Sequence, residues 1–107
     1  PTVAERVQRV HQKIDSAFKL DAAKLIQADS VFANFYRATD KVREEVRGSG
    51  ATGDDRRQQM QEKTQPFLDA RDKELKVLLG DDNFKTWKEI IEPSMRRGGP
   101  GGGAPRQ

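Results

Sequence analysis

The chain has 107 residues, one histidine and no cysteine, which limits it to one domain with a modest core and excludes disulfide staples, thiolate zinc sites and cysteine nucleophiles. Charged residues (35%) equal hydrophobic ones (34%) in weight, and mean hydropathy is -0.90, so the apolar side chains must lie in narrow stripes, as on helices. The net charge of +3 comes from Arg96, Arg97 and Arg106 near the C-terminus; the remainder is balanced, which argues against a broad phosphate-tracking face.

The first helix is announced by Thr2 and Glu5, a capping-box pair, followed by Val3, Val7, Val10, Ile14 and Phe18 at helical spacing. Beside that apolar row run Arg6, Arg9 and Lys13, which set positive charge next to apolar surface. His11 has Glu5 and Asp15 nearby, too few ligands for more than a weak surface metal contact, and no metal site is expected.

Asp21 is placed to cap a second helix. Leu25, Ala28, Phe32, Phe35, Thr39, Val42 and Val46 then alternate steps of three and four, forming a coiled-coil-like seam. Ile26, Val31 and Tyr36 fall off the seam and are expected at the surface. The glycines in Gly48-Ser-Gly-Ala-Thr-Gly53 end that helix.

Asp54 restarts the chain as a third helix with sparse apolar positions Met60, Phe67, Leu75 and Leu78, helped by the i,i+4 pairs Asp69/Lys73 and Asp72/Lys76. Pro66 removes one backbone hydrogen bond and is expected to bend the helix near 62–65. Gly80 breaks it. A short fourth helix, started by Asp81 or Asp82, carries Phe84, Trp87, Ile90 and Ile91 and closes at Pro93. Trp87 is expected to bury against the third helix with Phe84 and Leu78. Residues 98–107 read as a disordered Gly/Pro-rich tail after a helical domain over 1–97.

A helix of about 26 residues is about 39 Å long, whereas a compact domain of about 90 residues is about 32 Å across. Helices 2 and 3 should therefore form a long antiparallel hairpin, with helices 1 and 4 near its open end. The fold expected is all-α: four helices, elongated, with apolar residues left for a second copy to cover.

No catalytic residues are legible: there is one histidine, no HExxH and no glycine-rich phosphate loop, and the carboxylates are scattered along charged helices. The functional reading is a mixed surface, formed by Arg6, Arg9, Lys13, Ile26, Val31 and Tyr36, on which charge attracts an unfolded chain and apolar groups retain it. A helical adaptor or a stress or metal-sensor domain that binds one folded partner is the alternative, and would need a compact hot spot. Nucleic-acid binding through Arg96 and Arg97 fits poorly, since no Phe or Tyr lies among the tail glycines.

The segments Phe18-Lys-Leu-Asp-Ala-Ala-Lys24 and Leu78-Leu-Gly-Asp-Asp-Asn-Phe-Lys-Thr-Trp87 resemble the paired Leu-Thr-x-x-Gln segments of the Spy/CpxP family of periplasmic stress proteins. Asp21 and Gly80 stand where those segments carry Thr, and Lys24 and Asn83 where they carry Gln. The stretch Asp69-Ala-Arg-Asp-Lys-Glu-Leu-Lys-Val-Leu-Leu79 is similar to the family's charged helix before the second segment. The resemblance implies an ATP-independent chaperone without cofactor, forming a curved homodimer that holds unfolded or misfolded clients. It also implies a periplasmic location, with a signal peptide removed ahead of Pro1 and no membrane insertion.

Overall fold

The structure, a computed structural model, describes residues 2–97 and the side chains through Met95. These residues form helices joined by short turns, with no strand among them: α1 (Val3–Phe18), α2 (Ala22–Gly48), α3 (Gly53–Leu79) and a fourth helical run. That run begins as α4 (Asp81–Thr86), widens into a π turn (Trp87–Ile91) and continues as α5 (Glu92–Arg97). The tail expected over 98–107 lies outside the described residues. No helix of the described chain is long and apolar enough to cross a membrane.

The helix ends follow local chemistry. Thr2 Oγ1 accepts from the Glu5 amide and Glu5 Oε1 accepts from the Thr2 amide, which completes the capping box. α1 stops where Lys19 turns left-handed (φ 53). Asp21 accepts from the Lys24 amide and opens α2. Gly80, at φ 86, breaks the chain between α3 and α4 in a conformation that costs an L side chain energy.

Of two prolines, Pro66 is accommodated inside its helix as expected, and Pro93 departs from expectation. α3 runs from Gly53 to Leu79 with Pro66 inside it, and the exposed proline costs one internal hydrogen bond without ending the helix. Pro93 does not close the fourth run, which continues through it to Arg97. A proline crowds the carbonyl four residues before it, here Glu89. Glu89 sits within the π turn, where the Glu92 amide reaches back five residues to the Trp87 carbonyl, so the widened turn and the proline occur together.

The main core gathers residues from every helix: Val10 and Ile14, Val31 and Phe32, Leu75 and Leu79, Trp87 and Ile91. Trp87 is buried as expected, but its closest aromatic partner is Phe32 of α2, edge-on with centroids 5.3 Å apart. The α2 seam is confirmed by the burial of Ala28, Phe32, Thr39, Val42 and Val46, with Leu25 and Phe35 half-buried.

Val31 corrects the sequence reading: it lies inside the core at 8% exposure, because α1 and the fourth run widen the buried face of α2 beyond a two-helix seam. Phe67 is another correction, exposed at 41% while Leu79 is buried; the inward row of α3 passes through Leu68, Arg71, Leu75 and Leu79 instead. The ion pairs expected along α3 are also replaced, since Asp69 accepts from Gln65 and Asp72 bonds Arg71 and Lys88.

The radius of gyration is 14.9 Å and the extents are 44 × 33 × 24 Å. A compact chain of this length would have a radius of about 13 Å. The extra length comes from α2 and α3, each 27 residues, which continue past the four-helix end as a two-helix arm.

Candidate binding surface

Six residues were singled out by sequence, and the fold distributes them over three places. The first is a groove of about 550 Å³ between α1 and the fourth run, where Arg9 and Lys13 stand beside Ile90 and Ile91. Ile90 is 64% exposed. Its neighbour Ile91 takes the core position, so Ile90 must face outward, next to the basic row.

The second place is a groove of about 500 Å³ between α2 and α3, flanked by Ile26 and Val77 and lined also by Val31, Lys73 and Leu78. Ile26 is 65% exposed and Val77 81%. Ile26 is thus at the surface as expected, whereas Val31 contributes to the lining while most of its side chain faces the core. Val77 escaped the sequence reading, although it lies between the inward positions Leu75 and Leu79 and so must point away from them.

The third place is a cavity of about 350 Å³ where all four helical runs meet. Its walls include Phe32, Phe35, Tyr36 and Trp87, with Leu68 and Met95 adding aliphatic surface. Tyr36, expected to be open, is half-buried, with its ring centroid 6.2 Å from Phe32 and 5.6 Å from Phe35. Burial raises its phenol above the ordinary tyrosine value, against the opposing pull of Arg71, Arg6 and Arg9.

Three arginines line the same cavity. Arg6 does not stand in a free basic row: its guanidinium donates to Asp40 Oδ2 at 2.6 Å and lies 5.0 Å from the Tyr36 centroid. The Arg6 hydrogen bond holds the Asp40 carboxyl below its ordinary range. Arg71 is buried, stacks 4.6 Å from the Phe35 centroid and donates to Asp72 and Glu92. Arg9 is exposed and makes no ion pair among the described residues.

Around Arg71 the charges compensate one another. Lys88 bonds Asp72 at 3.0 Å and Glu92 at 2.9 Å, which closes a four-residue network of two bases and two acids. Burial pushes the Glu92 carboxyl up, but the hydrogen bonds from Lys88 and Arg71 outweigh it, and the group sits below the ordinary glutamate value. Sequence reading missed this network because Arg71 and Glu92 lie 21 positions apart.

His11 is held by neither Glu5 nor Asp15, since its Nδ1 meets Asp29 of α2 at 2.8 Å. No group of three potential metal ligands converges among the described residues. Comparison of the chain with protein-family models, with curated proteins and with solved structures finds no match.

Proposed function

We propose that the chain is an exported, ATP-independent holdase that binds unfolded or misfolded polypeptides by reversible surface contact. The observation that carries this reading is the placement of large exposed apolar residues beside exposed cations: Ile90 with Arg9 and Lys13, and Ile26 and Val77 with Lys73. Apolar groups left in water retain a client, and lysine and arginine extend the reach of capture without adding a fixed shape requirement. The similarity of its two helix starts to the Spy/CpxP segments points to the same activity and to the periplasm.

In this reading α2 and α3 form an antiparallel hairpin. The cross-helix contacts Ser49 to Gln59, Glu45 to Lys63 and Phe35 to Arg71 support it, because position numbers rise on one helix as they fall on the other. The working form is a homodimer, as the similarity to the Spy/CpxP segments implies.

Light scattering of a chemically unfolded polypeptide diluted with and without stoichiometric protein tests the activity. Suppression across several unrelated clients without nucleotide is expected, and unaltered aggregation overturns the reading. The alternative, one folded partner, is favoured by the compactness of the Ile26 and Val77 groove; Ile26→Asp with Val77→Asp would then abolish binding of that partner outright, whereas a holdase with dispersed contacts loses only part of its capacity.

A further inference from the structure

The π turn decides which side chains the fourth run turns inward. In an unbroken α-helix the neighbours of Trp87 one turn further on are Ile90 and Ile91, at i+3 and i+4. Here the buried neighbours are instead Ile91 and Glu92, at 8% and 7% exposure, while Ile90 is 64% exposed. The widened turn has moved the inward face along by one residue. Glu92 thereby reaches Arg71, and Ile90 is carried out to the groove that the fourth run forms with α1.

The opposite side of that groove is basic and uncompensated. Arg9 and Lys13 lie one helical turn apart on α1, both are exposed, and neither makes an ion pair among the described residues. No acid among the described residues lines this groove, whose other polar groups are Gln12, Ser16 and Ser94. Asp15 and Glu89 belong to the same two elements but do not line it. The groove between α2 and α3 is different: beside Ile26 and Val77 it carries one base and one acid, Lys73 and Glu74. One apolar groove is thus positively charged and the other is balanced.

We propose that the groove between α1 and the fourth run selects peptide segments in which aliphatic residues are flanked by carboxylates, a selection that the balanced groove does not make. The aliphatic side chain packs on Ile90, and the flanking carboxylates meet Arg9 and Lys13. This rests on the holdase reading and names the class of client segment that one of its grooves takes. A single exposed isoleucine offers little apolar surface to sink into lipid, and no aromatic ring lines the groove for a nucleic-acid base to stack on.

Calorimetry tests the selection with a peptide of two Asp-Leu-Leu-Asp units joined by Gly-Ser, beside versions with Asn or Lys in place of Asp. At about 0.01 M salt the Asp peptide should bind about fivefold more tightly than the Asn peptide, with the Lys peptide weakest. At about 0.15 M salt the spread should narrow. Arg9→Gln with Lys13→Gln alters exposed, unpaired side chains; the thermal midpoint should hold while the Asp and Asn peptides become equal. Lys41→Gln with Lys85→Gln removes the same charge outside both grooves and should leave the preference in place. The proposal is overturned if the Asp peptide binds no more tightly than the Asn peptide, or if the Lys41 and Lys85 pair abolishes the preference equally. It is also overturned if phosphatidylglycerol vesicles or oligodeoxythymidylate bind through Arg9 and Lys13 more tightly than the Asp peptide does. Holdase activity and charge selection fail separately. Suppressed aggregation without the peptide preference keeps the first and removes the second, whereas a preference lost with Arg9 and Lys13 but no suppression keeps the groove as a peptide site and removes the holdase.

Discussion

The four-helix end and the two-helix arm are made from the same long helices and differ in how the helices are covered. At the four-helix end, α2 and α3 meet α1 and the fourth run, and Phe32, Leu75 and Trp87 are each no more than 2% exposed. Along the arm only α2 contributes fully buried apolar side chains, Val42 and Val46, while residues 53–67 of α3 include no fully buried side chain. A helix pair has one shared stripe to bury; a third and fourth helix turn the flanks of that stripe into interior as well. Stability should therefore be concentrated at one end, and the surface at the other should open more readily.

The largest expected effect is Trp87→Ala, which should cost about 3–5 kcal/mol in urea unfolding. A loss below about 1 kcal/mol would mean that the four-helix end does not depend on its central ring. Arg71→Met should follow at about 3 kcal/mol, because it leaves Glu92 buried with part of its compensation removed; full stability in this variant would assign the network no structural weight. Val46→Ala, in the arm, should cost about 2 kcal/mol, and amide exchange should speed up over the arm more than around Trp87. Equal acceleration at both ends would show one cooperative unit and dissolve the distinction.

Acid sharpens the comparison from another side. Glu92 and Asp40 both have carboxyls held below their ordinary values of 4.5 and 3.8 in the folded chain. Groups of this kind stabilise fully above the unfolded-state values, and their contribution is lost as pH falls through the lower folded-state values. Urea midpoints should thus fall as pH drops below about 4.5, and Glu92→Gln should flatten the dependence. The smallest effect concerns the turns: Gly50, at φ 80, should resist substitution, with Gly50→Ala costing about 1 kcal/mol, while Lys19→Gly should relieve a residue held at φ 53 and raise stability by up to about 1 kcal/mol.

Apart from the end expected at Pro93, helix boundaries were legible because their causes are local. Thr2 with Glu5, Asp21, Gly48 and Gly80 act over three or four residues, and each stands at or beside an observed end. The α2 seam could also be read, since seven positions in one register leave little freedom. α3 was harder. With Phe67 next to Leu68 and leucines at 75, 78 and 79, its sequence allows two neighbouring registers, and the contact with α2 selects the one that buries Arg71 and leaves Phe67 in water.

The binding surface divides along the same line. That Arg9, Lys13 and Ile26 would be exposed followed from the helical period alone, because a stripe that faces the core fixes what faces away. Arg6 and Tyr36, read as members of open rows, are drawn into a cavity whose other walls come from α3 and the fourth run. Local sequence determined the helices, their ends and the amphipathic face of each, since those depend on hydrogen bonds and spacing within a few turns. Which residues meet across helices, as Arg71 meets Glu92 and Phe32 meets Trp87, was decided only by tertiary packing, because such contacts require the helices to dock in one rotation about their axes out of several that the sequence stripes allow.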